Sequence, residues 1–475
     1  LPKTTNNNLC WIRRDLRLHD HHALSAALKN GEQTYIAFIF DQKILSLLKN
    51  RSDRRVTFIM ESLLELEALM NKHGSSLIVR YGDPKIEIPK LVEEFNISNL
   101  YFNRDYEPSA KKRDEEIANR LQKNGIGVFS FKDHVFYEKK EVLTGQREIY
   151  KVFTPYKNKW LETFRAQESV VPNFKCNLKK LAPYQNPESV LKKDWFQTIN
   201  FKKTEIALHG GSSKALKRLE HFKKFISNYK EARNIPALNQ CSNLSPYIRM
   251  GNLSIRDMIR LSLEKNNEGY STWLSEIIWR DFYQVILDVY PKVETHCFKT
   301  EYDKIVWSGS NKHFQLWCEG QTGYPLVDAA MRCLNASGLM HNRLRMVVAS
   351  FLTKTLLVDW RKGEQYFAMQ LLDYDMAANN GGWQWSASTG VDAQPYFRIF
   401  NPYNQSEKFD AEGIFIRQWC PELSHFKNKD IHAPHDTDLV EQIEAQCFIG
   451  KDYPHPIVAY KGQKEKALAM FKAIK

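Results

Sequence analysis

The chain runs to 475 residues, 43% of them apolar, a length beyond one ordinary hydrophobic core, so two domains are expected. Lys and Arg number 68 against 55 Asp and Glu, and the surplus of +13 favours a polyanionic partner, nucleic acid first. Eight scattered cysteines with no C-x-x-C pair argue against a zinc site or a disulfide framework, and no apolar run approaches the roughly 20 residues of a membrane helix. With the polar start LPKTTNNN, which does not read as a signal peptide, these features point to a cytoplasmic setting and no membrane partner.

In chain order, LCWIRRDLRLHDHHAL leads from a strand through a loop into a helix, without G-x-G-x-x-G or a P-loop lysine. The short β-rich runs TYIAFIF, SSLIVRYG, ISNLYFN and GIGVFSF then alternate with helical stretches at 54–72 and 109–123. That alternation predicts βαβ units around a parallel, Rossmann-like sheet, an α/β domain over residues 1–135. Residues 136–211 are rich in Lys, Pro and Asn and read as a long interdomain linker with one ordered island, EIYKVFTPYKNKWLETF. From 212 to 475 apolar residues recur at helical spacing, interrupted at NIPALN, GNLS, GQTGYP and NASG, which predicts an all-α domain.

Within that half, STWLSEIIWRDFYQVIL reads as one helix with Glu276, Trp279, Arg280 and Tyr283 on a shared face. A carboxylate, an indole and a guanidinium there suit a polar aromatic ligand, and suit equally a half-exposed face with an i,i+4 Glu–Arg pair. In GLMHNRLRMVVASFL, Asn342 and Met346 share one face, and His341 and Arg345 its neighbour. Asp373 and Asp375 flank Tyr374 before an expected Asn-Asn-Gly-Gly turn. They could serve as glycosidase carboxylates or could fix arginines and the polar edge of a heterocycle, and the second use is favoured because glycosidase pairs usually face across a cleft. By composition alone, Trp307, Trp360 and Trp383 read as core indoles.

Together IWRDFY, GQTGYPLVDAAMR, MHNRLRM, ASFLTK, DWRKGEQYF, AANNGGWQWSASTG and YFRIFNP closely resemble the photolyase/cryptochrome flavoprotein family, in particular the microbial class I photolyases of cyclobutane pyrimidine dimers. The resemblance spans nearly the whole chain. It implies an α/β domain joined to a helical domain holding FAD, which is reduced in the active state and gives an electron to the dimer on absorbing light. A cofactor of that kind carries the hard chemistry, so a missing nucleophile and general base is no obstacle.

Carried onto this sequence, the resemblance implies FAD contacts at Tyr229, Cys241, Ser242, Asn243, Leu244, Ser245, Trp273, Arg280, Arg345, Asp373, Tyr374 and Asp375, with Asn379 facing flavin N5. Cys241 departs from the commoner Thr, and Asn243 stands where some relatives carry Arg. The resemblance also reverses the reading of the three indoles, implying an electron-transfer chain in the order Trp383, Trp360, Trp307 from flavin to surface. A dimer pocket is implied at Glu276, Trp279, Asn342, Arg343, Met346 and Trp385, and DNA contacts at Arg233, Arg343 and Gln405. Arg280 and Tyr283, on the helical face shared with Glu276 and Trp279, join the DNA and dimer set.

The implied partner is damaged DNA, bound without regard to sequence by a monomer with no obligate protein partner and nucleoid-associated while bound. Ser109-Ala110 and Glu294-Thr295 stand where folate-binding relatives have Asn-Glu and Cys-Lys, so a folate antenna is not expected; another antenna, or none, fits. No metal site is expected. The main rival is a cryptochrome photoreceptor on the same scaffold. An intact dimer pocket, and a chain ending soon after its helical domain, favour repair.

Overall fold

The computed structural model describes residues 6–474, which form two compact units. The first comprises the chain up to Tyr150 together with Thr154–Lys224 and Ser242–Val289; the second comprises Lys151–Phe153, Phe225–Cys241 and the chain from Tyr290 onward.

In the first unit five strands form a wholly parallel sheet of order β3-β2-β1-β4-β5: β1 Asn7–Ile12, β2 Gln33–Asp41, β3 Ile78–Gly82, β4 Ile97–Asn103 and β5 Gly127–Phe131. β1 is central, and all six of its residues are buried, as a strand covered on both faces requires. Leu9 lies opposite Tyr35 on one neighbour and Leu100 on the other, and Leu9, Trp11, Ile39, Ile78, Leu91 and Ile117 knit the sheet to its helices. Those helices include α1 His22–Asn30, α2 Arg54–Asn71, α3 Pro84–Glu94 and α4 Pro108–Lys123. Asp53 and Asp83 cap α2 and α3 by accepting from the backbone N–H groups of Arg55 and Lys85.

Beyond the end of β1, Arg17, Asp20, Asp133 and Arg256 form an ion network, each at most 4% exposed. Removing one member would strand a buried charge at a cost of about 3–5 kcal/mol. The expected connection carries the helix α5 Phe153–Ala166, and the unit also holds α6 Ser212–Lys223 and the 22-residue α7 Glu268–Val289.

The second unit is helical. Its main elements are α8 Pro325–Ser337, α9 Asn342–Ser350, α10 Trp360–Gln370, α11 Met376–Ser386 and α12 Pro402–Phe409, packed on a core that includes Trp317, Met331, Leu344, Phe351, Phe367 and Trp383. α9 runs on into a π-turn, Phe351–Thr355. The Asn-Asn-Gly-Gly stretch, expected as a turn, lies inside α11. Asp375 supplies the reason, because its carboxylate accepts from the Ala378 N–H and starts the helix before the glycines are reached. Among the described residues no helix is long and apolar enough to cross a membrane.

Candidate functional site

In the first unit α7 separates two kinds of residue. Trp273, Ile277, Ile278, Asp281 and Phe282 are buried, whereas Glu276, Trp279, Arg280 and Tyr283 are half-buried along a stripe set by helical spacing. Trp279 stacks on Tyr283 one turn later, with centroids 5.3 Å apart and planes 30° apart. Arg280 donates to the backbone carbonyl of His134 and meets that residue's Nε2. Trp273 packs on Phe222 at 4.8 Å.

Asp281 lies beneath this stripe, fully buried. It accepts from the N–H groups of Phe136 and Tyr137 and from the indole of Trp160 at 3.1–3.2 Å. Burial nevertheless raises its carboxyl to about 6, against the lowering effect of those donors.

Still within the first unit, Ser242 is buried. Its backbone oxygen accepts from Arg218 Nε at 2.7 Å and its Oγ from the Leu244 N–H at 3.3 Å. Asn243 adopts a left-handed φ of 51°, which Asn tolerates better than most residues. Leu244 is buried and precedes the helix Ser245–Met250, whose first turn has no side-chain cap; Ser245 itself is exposed.

In the second unit Tyr229 is buried beneath the Arg233 guanidinium, 5.7 Å from its ring, and Cys241 is half-buried. His341 caps α9 through Nδ1, which accepts from the Arg343 N–H at 3.2 Å, so the proton of the neutral ring resides on Nε2. Burial first, then the cations Arg343, Arg233 and Arg345, depress its pKa to about 4. Asn342 is exposed and Met346 half-buried. Arg343 donates to Asn234 at 2.6 Å and lies 4.4 Å over the ring of Phe409. Gln405 is half-buried on α12.

Arg345 reaches both oxygens of Asp373, at 2.8 and 3.1 Å, while its Nε donates to the carbonyl of Met340. With Asp373 committed to an arginine and Asp375 to a helix start, the glycosidase alternative has no support. Tyr374 between them is half-buried.

On α11 the Asn379 side chain is buried. Its amide group donates to the Glu364 carboxylate at 2.8 Å and to the Glu364 backbone carbonyl at 3.1 Å. The amide nitrogen is therefore spoken for, which leaves Oδ1 as the acceptor it offers elsewhere. Burial raises the Glu364 carboxyl above its ordinary value.

Four residues further on, Trp383 is 3% exposed, edge-on to Phe367 at 5.0 Å and to Trp317 at 6.0 Å. Gly363 makes this seat possible: a Cβ there would lie 2.2 Å from the Trp383 ring. Trp360 is buried in the same core, Trp307 packs at its edge against Phe471, and Trp385 is half-buried.

Sequence reasoning missed Glu364, Gly363, Trp317 and Asp281 as supports of these residues. Glu364 and Gly363 sit in the quoted stretch DWRKGEQYF, and Asp281 in IWRDFY, but nothing in their spacing reveals what they touch. Among the described residues no cluster of His, Cys, Asp and Glu could hold a metal, and none of the eight cysteines is joined in a disulfide.

Residues 8–175 match the family model for DNA photolyase, and residues 273–473 the model for the FAD binding domain of DNA photolyase. The chain is 39% identical to the deoxyribodipyrimidine photo-lyase of Escherichia coli, over 98% of each chain. A bacterial class III photolyase from Agrobacterium tumefaciens superposes with a TM-score of 0.90 at 32% identity, covering 99% of this chain and 98% of that one. A Synechocystis cryptochrome superposes with a TM-score of 0.87 at 29% identity, over 98% and 99%. On matches of this extent and identity, the chain belongs to the DNA photolyase family.

Proposed function

We propose that this protein is a deoxyribodipyrimidine photo-lyase, using light to reverse cyclobutane pyrimidine dimers in DNA. The observation that carries the reading is the buried Asn379, fixed by Glu364 so that an amide oxygen is presented on the same helix as Trp383 and Trp385. A buried, oriented amide sharing its helix with oxidisable indoles suits a redox ring.

The residues fit FAD chemically. Asn379 Oδ1 can accept from a ring N–H, and the Arg345–Asp373 pair offers a cation and an anion to the polar edge of a heterocycle. A Cβ on Gly382 would meet nothing within 4 Å beyond its own helix backbone and chain neighbours, so packing against the rest of the protein does not require glycine there, and close approach of a bound ring is a use for it. When bound in reduced form, FAD supplies under near-ultraviolet or blue light the electron that opens the cyclobutane ring and receives it back.

The remaining assignments concern what the chain's own residues do. Tyr229, Cys241, Ser242, Asn243, Leu244, Ser245, Trp273, Arg280, Tyr374 and Asp375 hold the cofactor. Glu276 and Asn342 present hydrogen-bonding groups to pyrimidine edges. Trp279, Tyr283, Met346 and Trp385 offer flat or pliable apolar surface. Arg233, Arg343 and Gln405 bind the DNA strand without reading sequence, as phosphate contacts do. A damaged step is also cheaper to unstack than an intact one, which contributes selectivity. Trp383, Trp360 and Trp307 pass electrons inward to regenerate the reduced state, a task separate from repair.

The second reading, a cryptochrome-type receptor, draws on the fold shared with the Synechocystis protein. One experiment separates them. Reduced, FAD-loaded protein is incubated with ultraviolet-damaged oligothymidylate in blue light and in darkness. Dimer loss confined to the light is the expected result; no loss, or equal loss in the dark, overturns the repair reading.

A further inference from the structure

Trp360 is 1% exposed, and its indole N–H has no oxygen or nitrogen acceptor. Beside it lies Cys297, itself 3% exposed, whose sulfur neighbours that N–H as a weak contact rather than a full hydrogen bond. Arg361 ties the two together: its guanidinium carbon lies 4.8 Å over the Trp360 ring, and Nη2 approaches the Cys297 sulfur at 3.7 Å. The same Nη2 is paired with the carboxylate of Asp303, which also accepts from the Cys297 backbone N–H at 2.9 Å. Burial first, then the neighbouring Asp303 carboxylate, holds the Cys297 thiol above its ordinary range.

This cluster is built badly for a resident cation on Trp360. A buried positive charge is costly, and the guanidinium over the ring adds repulsion. With no ordinary base on its N–H, an oxidised indole here cannot simply lose its proton. The neighbouring thiol can give an electron, and the partly exposed carboxylate of Asp303, held at the same residue by the Cys297 backbone N–H, is at hand to take its proton.

We propose that Cys297 and Asp303 form a side exit from the tryptophan chain, through which oxidised Trp360 is refilled without passing its vacancy to Trp307. The inference rests on the tryptophan-chain reading proposed above. In the step, Trp360 one electron short takes an electron from the Cys297 thiol while the thiol proton moves to the Asp303 carboxylate. The products are neutral Trp360, a Cys297 thiyl radical and protonated Asp303. The positive charge thereby leaves a buried indole and is cancelled at a partly exposed carboxylate. A low-molecular-weight thiolate in solution then reduces the thiyl by one electron, becoming a thiyl radical itself, and Asp303 returns its proton to the sulfur.

The test uses the full chain loaded with oxidised FAD, illuminated without oxygen in the presence of dithiothreitol, and compares Trp307→Phe, Cys297→Ser and the double variant. Serine keeps a hydroxyl for Asp303 but is not oxidised at this potential, so it rescues a packing role and not a redox one. Trp307→Phe should retain at least a third of the photoreduction rate, and Trp307→Phe/Cys297→Ser should fall a further tenfold. A nitrone spin trap present during illumination should be found on Cys297 by mass spectrometry in the wild type, and the same peptide should stay unlabelled in the Cys297→Ser variant. Cys297→Ser with chemically reduced flavin should repair dimers at the wild-type rate.

Equal photoreduction in Trp307→Phe and the double variant overturns the exit, as does complete loss in Trp307→Phe alone. Trp383→Phe is the control for the underlying reading. If it photoreduces as fast as the wild type, the chain itself is wrong and the exit falls with it.

Discussion

Asn379 donates both to the side-chain carboxylate and to the backbone carbonyl of Glu364, at 2.8 and 3.1 Å, so one residue of α10 sets the orientation of an amide on α11. Glu364→Ala should leave the buried amide with a single partner, at a cost of about 1–2 kcal/mol in stability. The bound reduced flavin should oxidise in air several-fold faster, because Oδ1 is no longer held in place. Glu364→Gln, which keeps a carbonyl acceptor, should recover most of the effect. Unchanged oxidation half-lives in both variants would remove Glu364 from the site.

Trp383→Phe should lower photoreduction at least tenfold and leave repair by chemically reduced enzyme near normal. Trp317 also touches Trp383, at 6.0 Å, yet lies outside the proposed chain, so Trp317→Phe should photoreduce within twofold of wild type. Flash-induced absorption changes measured on both variants decide the route.

Gly363→Ala places a methyl group where the Trp383 ring now sits, 2.2 Å away. Overpacking of this sort typically costs about 1–3 kcal/mol. Thermal unfolding should register that loss, and photoreduction should slow as the indole is pushed aside. A variant as stable as wild type would mean that α10 and α11 can separate freely.

Asp373→Asn should strand the Arg345 cation and weaken flavin retention about tenfold, measured by equilibrium dialysis. Arg345→Lys alone should weaken retention similarly, because an ammonium cannot reproduce the guanidinium fork that serves Asp373 and Met340 together.

The buried Asp281 makes stability depend on pH. Its carboxyl is raised to about 6 in the folded protein, so between roughly pH 4 and 6 the native state binds more protons than the unfolded one. The stability it contributes is fully present below pH 4 and is lost as pH rises through 6, a change of about 3 kcal/mol. Asp281→Asn should flatten the difference in urea midpoint between those two pH values. An unaltered pH slope in the variant would assign the slope to other groups.

Much of the fold was legible in sequence. The alternation of β-rich runs with helical stretches fixes the parallel sheet, because a buried parallel strand must be apolar on both faces and must be followed by a crossover. The four strand runs after β1 overlap β2 to β5, and the helices read at 54–72 and 109–123 correspond to α2 and α4. The Asn-Asn-Gly-Gly stretch misled. Glycine and asparagine favour turns locally, but a carboxylate cap at Asp375 and the seat of Trp383 against Gly363 hold the segment helical.

What the sequence by itself determined was the class of protein: residue types at helical and strand spacing, and motifs dense enough to identify a family whose chemistry needs no catalytic base. Tertiary structure alone decided which partner each side chain has. That Asn379 is tied by its nitrogen to Glu364, that Asp373 belongs to Arg345, and that Cys297, Trp360 and Asp303 meet around Arg361 are all pairings between different segments. Periodicity reports which face a residue occupies within its own element. The neighbour across that face is set by how the elements pack, and there the orientation of an amide and the burial of a carboxylate are settled.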